Sequence, residues 1–205
     1  MSTFLHQGDL PADALVGAQA VAIDSETMGL RLGRDPLCVV QLSDGKGDAH
    51  VVQLDRATYD APNLKRLLTD PTVTKLFHFG RFDIAMFWLH LGVVTQPVYC
   101  TKIASKLART YTDRHGLKDL TRELIGIDLS KAQQSSDWGQ DQLSEDQVAY
   151  AASDVLHLHA LRARLDEMLA REGRDGLARA CFEFLPHRAV LDVRGWEDID
   201  IVAHG

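Results

Sequence analysis

Short apolar runs separated by turn residues dominate the first third of the chain. "AVAIDSE" (20–26) is a β-type run that ends in acids. "PLCVVQLSDGKGDAHVVQL" (36–54) places two such runs around a Ser-Asp-Gly-Lys-Gly-Asp turn, a hairpin signal. The pattern predicts an antiparallel meander here. Helical spacing then takes over: "PNLKRLLTD" (62–70) opens on Pro62 and repeats Leu64, Leu67 and Leu68, and "TKLFHF" (74–79) returns to a strand. "RFDIAMFWLHLGV" (81–93) reads as a helix closed by Gly92, followed by a short strand "PVYC" (97–100). "TKIASKLART" (101–110) and "GLKDLTRELIG" (116–126) are helical. The segment 143–172 reads as one long helix, with Ser144 as N-cap and Val148, Ala151, Val155, Leu158, Leu161 and Leu165 as its buried stripe. Beyond Gly173 a further helix is expected, then a tail the pattern does not assign. A strand-rich start followed by helices predicts a central mixed sheet with helices around it, an α/β or α+β fold.

Composition narrows this picture. A chain of 205 residues at 45% hydrophobic and 25% charged has material for one globular domain with a sizeable core. Twenty-two Lys and Arg against 29 Asp and Glu leave a net charge of -7, which disfavours a broad electrostatic grip on long nucleic acid. Cys38, Cys100 and Cys181 are odd in number and widely spaced, so they read as reduced thiols. The N-terminal segment lacks a basic start and apolar run, and no later stretch approaches a membrane span; a cytoplasmic location is the expectation.

Four acids sit where a strand or helix would present them. Asp24 and Glu26 end the first apolar run two residues apart, on one face of a strand. Asp83 opens a helix, and Asp154 lies four residues after Tyr150, so phenol and carboxylate share a helix face. Each alone is ordinary: Asp-x-Glu commonly caps a turn, and an aspartate at a helix start commonly meets the dipole. Together they offer hard oxygen ligands from separate elements, the set that Mg²⁺ or Mn²⁺ takes at a phosphodiester. His90, His157 and His159 lack the paired spacing of a zinc site and read as structural or exposed.

The ordered motifs "IDSET" (23–27), "HFGRFD" (78–83) and "YAASDV" (150–155) resemble those of the DEDD 3′-to-5′ exonucleases, and the tyrosine marks the DEDDy branch that includes ribonuclease D. "SSDWGQDQLSEDQVAYAASDV" (135–155) is similar to the ribonuclease D segment leading into its third motif. The resemblance covers about residues 20–170 and implies a ribonuclease H-like exonuclease fold. It also implies catalytic roles for Asp24, Glu26, Asp83, Tyr150 and Asp154. By position, Asp24 would bridge two divalent ions, Mg²⁺ or Mn²⁺, with Glu26 and Asp154 completing the first and Asp83 serving the second. Tyr150 would hold the nucleophilic water, since an ordinary phenol is a poor base at neutral pH.

Only 51 residues follow Asp154 in the 205-residue chain, too few for the long helical RNA-gripping extensions of full-length ribonuclease D; a single domain over 1–205 without an HRDC domain is expected. A chain of this length is similar to the nano-RNase C group, which degrades very short RNAs, notably dinucleotides, and assembles as an octameric ring. The partners implied are therefore the 3′ end of short single-stranded RNA and further copies of the chain, with no membrane. Expected substrate contacts are Thr27, Met28 and Leu30 after the first motif, with Leu30 as a wedge between bases, and His78 and Phe79 before the second. Core packing is the competing reading for Leu30 and Phe79. Lys102, Ser105 and Arg109, at i, i+3 and i+7, form one polar stripe that is either a solvated face or a cap for a 5′ phosphate; His187 and Arg188 are a second candidate pair. The alternatives are 3′ trimming of tRNA or other longer RNA, a DNA exonuclease, and an inactive nucleic-acid-binding relative.

Overall fold

The computed structural model describes residues 2–130, 133 and 135–204. Six strands form one mixed sheet in the order β1-β4-β3-β2-β5-β6. They are β1 (Thr3–Gln7), β2 (Ala20–Thr27), β3 (Leu37–Ser43), β4 (Ala49–Gln53), β5 (Thr74–Phe77) and β6 (Val98–Cys100). β2, β3 and β4 form the expected antiparallel meander, and β5 and β6 add to the free edge of β2 in parallel. β1 was not expected from the pattern. It pairs in parallel with β4 at the other edge, and its two apolar residues, Phe4 and Leu5, are adjacent and exposed, so no alternating pattern marks it.

Every residue of β3 is buried, and β2 buries Val21, Ala22 and Ile23 before it reaches its acids. The meander therefore forms the floor on which the first motif is mounted. The helices are α1 (Pro62–Thr69), α2 (Arg81–Leu91), α3 (Thr101–Ala108), α4 (Leu117–Leu120), α5 (Glu145–Val155), α6 (Leu158–Arg171) and α7 (Asp175–Leu191). α5 packs on β2, β3 and β4, while α7 packs across α2 and β6. Pro62 starts α1, and Gly92 ends α2 at a φ of 71°.

The long helix expected over 143–172 is instead two. α5 ends at Val155 and α6 begins at Leu158; between them His157 relaxes to φ -109° and ψ -5° and becomes the N-cap of α6, its carbonyl accepting from Leu161 N at 3.0 Å. The apolar stripe runs on through the break, with Val155, Leu158, Leu161 and Leu165 all buried, so periodicity does not reveal it. The further helix expected beyond Gly173 is α7, which accommodates Pro186, and the tail after it opens with a π-helical turn Asp192–Trp196 with Gly195 at a φ of 98°. Cys38 and Cys100 are buried free thiols and Cys181 an exposed one. Among the described residues, no helix is long and apolar enough to cross a membrane.

Candidate active site

The end of β2 and the start of α5 build the centre of the site. Alternation along β2 sends Asp24 and Glu26 to one face, toward α5, and Ser25 to the other. α5 is fixed at its start by a complete capping box: Gln147 N donates to Ser144 Oγ at 3.2 Å and Ser144 N to Gln147 Oε1 at 2.9 Å. About two turns further on, α5 brings Asp154 to the strand, and ligand oxygens of Asp24, Glu26 and Asp154 lie within 4.8 Å of one another. Asp83, on the first turn of α2, arrives from the Ser25 side, and Ser25 Oγ donates to Asp83 Oδ1 at 2.5 Å. All four acids and Tyr150 line a single groove of about 1010 Å³.

Two residues the sequence did not single out hold this arrangement. Ser25 is one. Gln41 is the other: β3 places it directly opposite Asp24, and its Nε2 donates to Asp24 Oδ2 at 2.7 Å. A glutamine in the otherwise apolar run "LCVVQL" was the available signal. Trp138 is buried and tilts against Tyr150 at a centroid distance of 6.2 Å, which sets the plane of the phenol ring.

The acids are not at ease together. Burial, then the charges of Asp83, Asp154 and Glu26, push Asp24 well above the usual carboxylate range. Burial and the charges of Asp154 and Asp83 push Glu26 up to about 8. Burial raises Asp154 to about 7 against a hydrogen bond from Tyr150, and raises Asp83 to about 6 against the bond from Ser25. Burial, followed by the charges of Asp154, Glu26 and Asp24, holds the Tyr150 phenol well above its ordinary value. Carboxylates that oppose one another's ionisation in this way are a set that a cation would satisfy. Gln41 Oε1, buried beside Asp24, has no hydrogen-bond partner among the described residues. Hard oxygens, a deficit of positive charge and a spare acceptor fit a hard divalent ion. Among the described residues no histidine joins a metal-type cluster. His159 Nε2 instead meets Ala20 O at 3.1 Å, and His90 tilts against Tyr59.

The expected substrate contacts separate into those the groove holds and those it does not. Thr27, Met28, Leu30, His78 and Phe79 all line it. Leu30 is 79% exposed and Phe79 51% exposed, so neither is core. Phe79 takes a φ of 66°, uncommon for an aromatic residue, and its ring sits under Lys102 Nζ at 3.9 Å. His78 Nδ1 pairs with Thr101 Oγ1 at 2.9 Å, and burial, helped by Lys102 and His115, lowers it to about 3, so the ring is neutral.

The polar stripe on α3 is a correction. Ser105 and Arg109 are buried, and Arg109 bonds Ser105 Oγ, Arg114 O and the carboxylate of Glu123. These two residues are neither a solvated face nor a phosphate cap, because the segment carrying Glu123 packs over the stripe. Arg188 is likewise committed, with its guanidinium on Trp196 O, Glu197 O and Ile199 O. His187 is exposed and lines a separate cavity with Tyr99 and Phe182.

A family model described as 3'-5' exonuclease matches residues 12–170. Ribonuclease D of Granulibacter bethesdensis is 38% identical over 154 residues, covering 75% of this chain but 38% of its own length. The chain thus spans about two fifths of the length of the curated relatives it matches. Two solved structures of Brucella melitensis NrnC superpose over 100% of both chains. One has bound Mg²⁺, at a TM-score of 0.96 and 53% identity; the other is bound to pGG, at a TM-score of 0.97 and 54% identity.

Proposed function

Since the chain belongs to the 3′-5′ exonuclease family, we propose that it is a metal-dependent exoribonuclease. On this reading it hydrolyses very short RNAs, dinucleotides foremost, from the 3′ end to nucleoside 5′-monophosphates. The observation that carries this reading is the convergence of Asp24, Glu26 and Asp154 within 4.8 Å, with Asp83 and Tyr150, in one groove. The full-length likeness to a protein solved with pGG favours a short substrate over the longer RNAs of ribonuclease D.

Asp24, Glu26 and Asp154 would hold one Mg²⁺ or Mn²⁺ ion, and Asp24 with Asp83 a second. Bound there, such ions supply positive charge to the attacking and leaving oxygens of the phosphodiester and lower the pKa of a coordinated water. The chain's own residues do the positioning. Gln41 and Ser25 hold the carboxylates of Asp24 and Asp83, so that neither swings away when charge arrives. Tyr150, too weak an acid to be ionised at neutral pH, orients the nucleophilic water by hydrogen bonding. Leu30 and Phe79 present apolar surface to bases, and His78 offers a neutral ring nitrogen to sugar or phosphate.

Assembly into a homo-oligomer, up to an octameric ring, belongs to the same reading. Exposed Phe4, Leu5, Phe184 and Trp196 supply apolar surface for it. Incubation of the protein with a 5′-phosphorylated diguanylate and Mg²⁺ tests the function. Two guanosine 5′-monophosphates should form per substrate, with none from Asp24→Ala or Asp154→Ala. Hydrolysis that survives either substitution, or needs no metal, contradicts it.

A further inference from the structure

β2 runs out of the site straight into a loop, residues 28–36, that leads back into β3 and carries Leu30 at the groove. Leu30 is 79% exposed, so burial does not hold it in place. The backbone on either side of it is held by one carboxylate. Asp35, 6% exposed, accepts from Arg31 N at 2.9 Å, and the guanidinium of Arg34 grips both of its oxygens, Nε to Oδ1 at 2.5 Å and Nη2 to Oδ2 at 2.7 Å. Arg34 is itself exposed, so its guanidinium closes the solvent side of a charge-assisted pair. On the other flank a Cβ at position 29 would collide with Asp35 Oδ2, and only glycine allows so close a pass.

The main chain converges on the same point. Arg34 N and Asp35 N both donate to Arg31 O, at 3.3 and 3.0 Å. Met28 N donates to Pro36 O at 3.2 Å across the neck of the loop, and Thr27 Oγ1 donates to Gly29 O at 2.5 Å. Leu30 therefore sits between two residues that meet the carboxylate directly, Gly29 by close packing and Arg31 through its N–H. Asp35 is not itself part of the groove lining, so its influence on a bound molecule passes through the loop. Ordering a mobile loop at the moment of binding subtracts from affinity, whereas a loop ordered beforehand carries no such cost.

Building on the exoribonuclease reading, in which Leu30 presents apolar surface to a base, we propose that Asp35 is a positioning residue that fixes the loop so that Leu30 is in place before the substrate arrives. Gly29 gives the carboxylate its space and Arg34 holds it there. None of the three touches the reacting atoms.

The test is a double-mutant cycle on Leu30→Ala and Asp35→Asn, read as KM and kcat on a 5′-phosphorylated diguanylate with Mg²⁺. Asn keeps the size of the side chain and removes the charge that holds Arg34. Leu30→Ala should raise KM at least about tenfold, and Asp35→Asn about fivefold with kcat within about twofold of wild type. The double variant should match Leu30→Ala within about twofold, because no side chain is left to position. Mg²⁺ affinity, measured by calorimetry, should be unchanged in all three. An unchanged KM in Asp35→Asn, losses that multiply to about fiftyfold in the double variant, or weakened Mg²⁺ binding in Asp35→Asn overturns the proposal. If Asp35→Asn fails to fold, Arg34→Gln, which alters an exposed side chain, takes its place in the cycle, and an unchanged KM there overturns it. An active wild-type protein with an unaffected Leu30→Ala variant overturns the positioning role and leaves the nuclease standing, whereas wild-type inactivity on the dinucleotide contradicts the exoribonuclease reading itself.

Discussion

Gln41 faces Asp24 across the β2–β3 register and gives that carboxylate a hydrogen bond at 2.7 Å. Gln41→Leu keeps the volume and removes the donor. It should weaken Mg²⁺ binding, measured by calorimetry, and lower kcat by about tenfold, in line with the loss of a supporting ligand contact at a metal centre. Tyr150→Phe should separate from it: metal affinity is retained, while kcat falls by about a hundredfold through loss of water orientation. Equal losses of metal affinity in both variants would contradict the division of roles. The five residues of the three motifs were legible in the sequence because each motif is local. Ser25 and Gln41 were not, because their partners are fixed by strand pairing and by the approach of α2. Arg109 was misread for a related reason. Helical spacing gathered Lys102, Ser105 and Arg109 onto one stripe but carried no information about what lies over it, and Glu123 lies over it. Arg109→Ala should therefore act on folding rather than on substrate. It should lower stability by about 3 kcal/mol in denaturant melts, near the low end for a broken buried pair because Glu123 is 34% exposed.

The elements were legible where their signals are short-range. The β3–β4 hairpin, Pro62, Gly92 and the Ser144–Gln147 box mark their own boundaries. β1 escaped because it is an exposed edge strand, and the α5–α6 break because the buried stripe passes straight through it. The capping box matters beyond its own helix. It sets the register that brings Tyr150 and Asp154 to β2, about one and a half and two and a half turns from the helix start. Ser144→Ala should cost about 1 kcal/mol of stability. It should leave the KM for a dinucleotide close to wild type, since no residue touching the groove is altered. A stability loss below about 0.3 kcal/mol in thermal melts would show that packing against the sheet fixes α5 without the cap.

At the scale of the whole molecule, the clustered acids tie stability to pH and metal. Glu26, Asp154 and Asp83 rise from ordinary values of 4.5, 3.8 and 3.8 to about 8, 7 and 6. The metal-free folded protein then holds protons that the unfolded chain releases. Their contribution is complete below the unfolded values near 4 and is lost as pH climbs through about 6 to 8. Acids held low in the fold, such as Asp35, act in the opposite sense only at more acid pH. Histidines that burial lowers in the fold, among them His78, His90, His157 and His159, act in the opposite sense up to about pH 6.5, so the Tm of the metal-free protein should fall between about pH 7 and 8. Mg²⁺ should raise it by an amount that grows with pH, because binding must displace those protons. A Tm that rises over this window without metal would contradict the electrostatic account of the site.

Metal-dependent exoribonuclease activity on very short RNA is the function proposed for these residues. The most direct test is the initial rate, with Mg²⁺, on 5′-labelled RNAs from two to about twenty nucleotides, for the wild-type protein beside Asp24→Ala. A steep maximum at the dinucleotide is expected, with no cleavage at any length in the variant. A stepwise ladder on the longer RNAs at rates equal to the dimer, or cleavage that survives loss of Asp24, would contradict it.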